Sequence, residues 1–154
     1  MDTEHVLIDK ASPQAYRAAV GVATAVTADA NNNDLPRTLI ELINVRVSQI
    51  NGCATCLDVH VRKAAAAGVT SRQLATLSQW RETELFDERE QAALRLAEIT
   101  TNLPDHDIAE QEYARARDVL TEGQMSAVIW VAIAINAFNR VSILSRHPVR
   151  PQRS

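Results

Sequence analysis

Asn51-Gly52-Cys53-Ala54-Thr55-Cys56-Leu57-Asp58-Val59-His60-Val61-Arg62-Lys63 is the stretch on which the reading of this chain turns. It holds both cysteines and one of the four histidines. Asn51-Gly52 breaks the chain, and Gly68 supplies a C-terminal cap after Ala64–Ala67. The segment between them reads as a helix that opens at Cys53 or just after it. On such a helix Cys53, Cys56 and His60 follow at spacings of three and four, so three reactive groups share one face on adjacent turns.

The same helical grammar extends in both directions. Ser12-Pro13 is an N-cap with a first-turn proline, and Tyr16, Ala19, Val20, Ala23 and Val26 recur at helical spacing. Asn31-Asn32-Asn33-Asp34 ends that helix. A second helix runs from Pro36 to about Ile50, carrying Leu39, Leu42, Ile43, Val47 and Ile50, with Glu41, Asn44 and Ser48 within it. Thr70, Asp87 and Thr121 each precede Gln or Glu by three residues, the pattern of a capping box. They predict a short helix to about Leu77, a helix over 88–101 and a last helix over 122–145. Another is predicted over roughly 107–119. Strand-like alternation is scarce, and the glycines and prolines are few. The expectation is an all-α single domain of about six to seven helices: a leader over 1–11, a helical domain over 12–146 and a flexible tail over 147–154.

Bulk properties narrow the function. With 154 residues, 46% hydrophobic and 23% charged, the chain is large enough for a core and ordinary for a globular protein. A net charge of −3 without a basic stripe gives nucleic acid no purchase. Met1-Asp2-Thr3-Glu4-His5 does not read as a signal peptide. The apolar run Ala127–Ala134, continued to Phe138 across Asn136, reads as too short to span a bilayer. The expected address is cytoplasmic, with no membrane partner. In that setting two cysteines are chemical rather than a stabilising framework. Few aromatic residues leave a modest core, which favours a homo-oligomer.

A thiolate attacks and a thiol does not. An ordinary cysteine, with a pKa near 8.5, is only a few per cent ionised at pH 7. A shift of about 2 units, worth roughly 2.7 kcal/mol, would make it mostly thiolate. A helix N-terminus usually supplies about 0.3–1 kcal/mol. A base is therefore needed, and His60, one turn after Cys56, is placed to take the proton and return it to a leaving oxygen. Once Cys56 is oxidised to a sulfenic acid, Cys53 can condense with it to a disulfide.

Other readings compete at this level. A Cys-x-x-Cys can be half of a zinc site, with His and carboxylate completing it. The pair can be two small core residues, and a lone histidine is more often satisfied or exposed than catalytic. A thioredoxin-type fold is disfavoured, because the strands that flank such a motif are missing. Glu41 on its own reads as a solvated surface residue. Asn136 and Asn139 read as buried amides with structural partners, and Trp80 and Trp130 as packing or interface residues.

The longer segment from Glu41 to His60 resembles the core of the alkylhydroperoxidase AhpD-like branch of the carboxymuconolactone decarboxylase family. That pattern is Glu, eleven residues, Cys-x-x-Cys, three residues, His, and it is met by Glu41, Cys53, Cys56 and His60. Leu85–Glu90 and Ile135–Arg140 are similar to the same branch, so the likeness covers about residues 15–145. The resemblance implies an all-helical fold assembled as trimers or hexamers. It implies a peroxidatic Cys56, a resolving Cys53, and a proton relay of His60 and Glu41 with water. It also implies an external dithiol reductant, such as the lipoyl group of a partner protein, and a peroxiredoxin as electron acceptor. No bound cofactor or metal is implied. At one position the chain departs: Thr55 stands where the characterised enzymes carry a histidine.

The expected function is thus a thiol-dependent antioxidant peroxidase or disulfide oxidoreductase acting on hydroperoxides. The rivals are a carboxymuconolactone decarboxylase-type enzyme using His60 as acid/base, and a non-catalytic helical module with structural or metal-binding cysteines.

Overall fold

The computed structural model describes residues 3–151, and those residues contain helices and no strand. Eight α-helices follow in order: α1 (Ile8–Ala11), α2 (Pro13–Asn32), α3 (Arg37–Asn51), α4 (Ala54–Ala67), α5 (Ser71–Thr76), α6 (Glu88–Asn102), α7 (His106–Arg117) and α8 (Glu122–Leu144). A 3-10 helix, Leu77–Glu82, continues α5. Seven of the eight are the predicted ones. The additional helix, α1, lies within the segment read as a leader.

The three capping boxes form as their spacing requires. Thr70, Asp87 and Thr121 each accept from the backbone amide three residues on, and Gln73, Glu90 and Gln124 reach back to the cap. The asparagine run ends α2 as predicted, with the turn completed by Asp34 in the left-handed region at φ 57°.

α3 is the axis of the bundle. Leu39, Ile40, Leu42, Ile43, Val45 and Val47 point in every direction around it, and all are buried. A helix apolar all round belongs in the interior. One side of α3 packs into a core with α2, α6 and α8; the other packs with α4, the 3-10 helix and α6 around Trp80 and Phe86. Each fully buried Leu or Ile contributes about 1.5–3 kcal/mol of transfer free energy. Because this part of α3 is enclosed, Glu41 is buried along with its apolar neighbours, and this delivers it to the site.

A polar cluster fixes the second core. Glu98 Oε1 accepts from Arg46 Nε at 2.8 Å and from Trp80 Nε1 at 2.9 Å, while Arg81 pairs with Oε2. Arg81 stacks 4.1 Å above the Trp80 ring. Glu112 joins through Arg95 at 2.7 Å and Arg81 at 3.0 Å.

The membrane expectation needs correction. α8 is 23 residues long, with a mean hydropathy of 1.7 over its most apolar window, so by length and composition it could cross a bilayer. The apolar run Ala127–Phe138 covers only part of this helix, which extends from Glu122 to Leu144. In the fold α8 lies against α2, α3 and α6, burying Met125, Val128, Val131 and Ile135.

The chain ends meet beside α4. His5 Nδ1 lies 2.8 Å from the Leu144 carbonyl, and the Ile8 amide donates to Ser145 Oγ at 3.1 Å. His147 Nε2 lies 3.1 Å from Asp9 Oδ1. His147, where the segment read as a flexible tail begins, is thus held in place. Residues 1–2 of the predicted leader and 152–154 of the predicted tail lie outside the described residues.

Candidate functional site

The turn between α3 and α4 sets the cysteines. Gly52 closes α3 at φ 69°, a left-handed conformation that favours glycine. Cys53 is the N-cap of α4, and its sulfur accepts from the Cys56 amide at 3.3 Å. The two sulfurs are joined in a disulfide, with the Cα atoms 5.3 Å apart. Both residues are buried, Cys53 at 1% exposure and Cys56 at 7%. The bridge sits at the positive end of α4, where a released thiolate would be favoured.

Polar residues form a stripe down α3: Glu41, Asn44, Ser48 and Asn51 recur at intervals of three, four and three. The lower half holds the α3–α4 turn against α8. Asn51 Nδ2 donates to Asn136 Oδ1 at 2.8 Å and to Asn139 Oδ1 at 3.0 Å. Asn139 Nδ2 donates to Ser48 Oγ at 3.1 Å, and Asn136 Nδ2 to Thr101 Oγ1 at 3.0 Å. The Cys53 amide itself donates to the Ser48 carbonyl at 3.0 Å. Asn136 and Asn139 therefore position the turn, in keeping with their reading as amides with structural partners.

The upper half holds the carboxylate. Glu41 is fully buried, which overturns the solvated-surface reading. Its Oε2 lies 2.7 Å from His60 Nδ1 and 3.4 Å from Asn44 Nδ2. Arg37 Nη2 stands 2.5 Å from Oε1 in an ion pair that lacks hydrogen-bond geometry. Burial alone would push the Glu41 carboxyl up. The hydrogen bond and charge of His60, then Arg37 and Asn44, outweigh it and hold the carboxyl below the usual glutamate value. An ionised carboxylate only accepts, so His60 Nδ1 carries the proton and neutral His60 keeps Nε2 as a free acceptor. The Glu41–His60 contact is direct.

The four predicted residues fall into two linked pairs. Cys53 and Cys56 are bonded to each other, and Glu41 and His60 are hydrogen-bonded to each other. Cys56 and His60, one turn apart on α4, connect the pairs. Their open spaces differ. A cavity of about 210 Å³ reaches Cys53 between the start of α4 and the end of α8, near Ser142 and Arg146. A second, of about 230 Å³, opens on Glu41 and His60 with Arg37, Lys63 and Phe138, and its lining includes neither cysteine. Thr55, at the position of family departure, donates from Oγ1 to the His147 carbonyl at 2.6 Å. The sequence reading passed over Arg37, Asn44 and Ser48 as site residues and left out His147. The polar stripe on an apolar helix was the available signal for Asn44 and Ser48; His147 had none, because its partners lie 92 and 138 residues away. Among the described residues, no group of three His, Cys, Asp or Glu side chains is placed to hold a metal ion.

Comparison with known proteins agrees with the helical fold. The model of the Carboxymuconolactone decarboxylase family matches residues 13–98, which contain all four site residues. The uncharacterized protein YdfG of Bacillus subtilis (strain 168) is 37% identical over 111 residues, spanning 72% of this chain and 76% of that protein. The uncharacterized protein YnjA of Escherichia coli (strain K12) is 32% identical over 63 residues, 41% of this chain and 35% of that one. Among solved structures, ATU0492 of Agrobacterium tumefaciens superposes with a TM-score of 0.84 at 28% identity, over 96% of this chain and all of that one. It is a protein of unknown function described provisionally as the antioxidant defence protein AhpD. The debrominase Bmp8 shares the fold at a TM-score of 0.76 and 15% identity, over 92% of this chain and 74% of its own. With the helical fold, the buried glutamate–histidine pair and the family match in agreement, the chain belongs to the carboxymuconolactone decarboxylase family, as an AhpD-like member.

Proposed function

We propose that the protein is a thiol-dependent peroxidase that reduces hydroperoxides through Cys53 and Cys56. The observation that carries the reading is the bridged Cys53–Cys56 pair at the start of α4, one turn from a histidine held by a buried carboxylate. In the reduced protein His60 Nε2 takes the Cys56 thiol proton, and Glu41 stabilises the imidazolium. The thiolate attacks the terminal oxygen of the hydroperoxide. The O–O bond breaks, and the alkoxide leaves with the proton from His60 as an alcohol. Cys56 is now a sulfenic acid. Cys53 attacks its sulfur, the S–O bond breaks, and hydroxide takes up the Cys53 proton and leaves as water. The sum is two thiols and one hydroperoxide giving one disulfide, one alcohol and one water. An external dithiol, such as a lipoyl group on a partner protein, returns the two electrons by thiol–disulfide exchange.

The reading includes a homo-oligomer, a trimer or hexamer, and a cytoplasmic setting, with a peroxiredoxin as a further redox partner. The exposed apolar side chains Val20 and Val22 on α2 and Trp130 and Ile133 on α8 support assembly.

One observation favours a second reading. The cavity at Glu41 and His60 excludes the cysteines, a geometry suited to acid/base chemistry on a lactone. Two variants separate the readings. Loss of hydroperoxide turnover in Cys56→Ser, with His60→Ala slowed by about 100-fold or more, supports the peroxidase. Lactone turnover that survives Cys56→Ser and vanishes in His60→Ala supports the acid/base enzyme.

A further inference from the structure

The cavity beside Glu41 and His60 has a chemical character of its own. Its inner wall is apolar: Val26, Ile40, Val131, Ile135 and Phe138 line it from α2, α3 and α8. Arg37 and Lys63 line it too, and both are exposed to solvent, so they stand at its mouth. Arg37 commits one nitrogen to Glu41 Oε1, and the guanidinium keeps further N–H donors. Lys63 forms no ion pair among the described residues. Two fixed positive charges thus face one negative charge, Glu41, which leaves a surplus of one. Glu41 Oε1, fully enclosed, has no hydrogen-bond donor. At about 30 Å³ per water-sized group, the 230 Å³ cavity holds on the order of eight carbon-sized groups.

From this juxtaposition we infer that the cavity is a binding site for a small amphipathic monoanion: an apolar body of about eight carbons with a carboxylate held between Lys63 and Arg37. The tail replaces water along the apolar wall, and the head neutralises the surplus charge at the rim. Binding itself needs no thiol, so it stands or falls separately from the peroxidase reading.

The test uses the full-length protein in its disulfide form, in which the cysteines are unreactive to peroxide. Octanoate, 1-octanol and octylammonium are titrated calorimetrically at low salt. Octanoate is expected to bind one per chain, at least tenfold more tightly than either of the others. Lys63→Glu, an exposed change, should weaken octanoate at least tenfold and remove its advantage over octylammonium. Ala134→Leu, which fills the cavity, should abolish binding while the far-ultraviolet circular dichroism remains that of the parent. The inference is overturned if octanoate fails to bind, binds no more tightly than octanol, or is unaffected by Lys63→Glu. Unchanged affinity in folded Ala134→Leu overturns it as well, since the ligand would then sit elsewhere.

Discussion

Replacing Glu41 by glutamine isolates the role of its charge. The side chain keeps its shape, and the amide oxygen can still accept from His60 Nδ1 across the 2.7 Å contact. What disappears is the negative charge opposite the imidazolium that forms when His60 takes the thiol proton. A hydrogen bond involving charged groups is worth about 1.5–3 kcal/mol, against about 0.5–1.5 for a neutral one. The resting protein pairs the carboxylate with a neutral imidazole and the transition state pairs it with a forming cation; that added charge pairing, taken as the same step of about 1–1.5 kcal/mol, falls on the transition state. At 1.36 kcal/mol per decade, the reduced Glu41→Gln protein should react with peroxide about tenfold more slowly. A full Coulomb loss of about 4 kcal/mol for charges 4 Å apart in a medium of dielectric 20 is an upper bound, because Arg37 already offsets much of the Glu41 charge. The assay mixes reduced protein with excess cumene hydroperoxide at pH 7, quenches at intervals and counts remaining thiols. A rate within twofold of the parent would refute the reasoning: the pair would then be an ornament of packing, and Cys56 would draw its reactivity from elsewhere.

Three other outcomes follow from the same geometry. Because the folded Glu41 carboxyl is held below the ordinary value of about 4.3, ionisation stabilises the fold above that pH, and this contribution is lost as pH falls through the folded value. Urea unfolding should therefore show the stability of the parent relative to Glu41→Gln declining below about pH 4.3; a difference that is constant or grows toward pH 3 contradicts it. Glu98→Ala removes the acceptor for Arg46 and for the buried Trp80 indole, and should cost about 3–5 kcal/mol, lowering Tm by roughly 6–20 °C; a calorimetric loss under 1 kcal/mol would argue against the network. Asn139→Ala unties Ser48 and Asn51, so the Cys53 amide should exchange about 5–30-fold faster, as expected for 1–2 kcal/mol of lost protection, while an unchanged rate would show that the turn is held by Gly52 alone.

Much of the fold could be read from local sequence because its helix starts are local devices. Thr70, Asp87 and Thr121 bond within their own first turn, and Gly52 and Gly68 end helices in conformations suited to glycine. α1 has no such device; it is four residues long, and its Ile8 amide is met by Ser145, at the far end of the chain. The Cys53, Cys56 and His60 spacing was legible for the same local reason. Glu41 was legible only through the family pattern, since burial of a mid-helix glutamate depends on what encloses α3 rather than on its neighbours in sequence. The stripe of Glu41, Asn44, Ser48 and Asn51 carried that information, because four polar residues on one face of an otherwise buried helix need partners inside the protein. The separate cavities at Cys53 and at His60 arise from how α8 crosses both helices, a tertiary feature beyond any spacing rule.

The central claim is that Cys53 and Cys56 act together as a peroxide-reducing dithiol. Fully reduced protein should be treated with one equivalent of cumene hydroperoxide and examined by thiol titration and intact mass. The account predicts that both thiols disappear together, that the mass falls by two hydrogens, and that one cumyl alcohol forms per chain. Survival of both thiols at a peroxide level that oxidises an ordinary cysteine would contradict it.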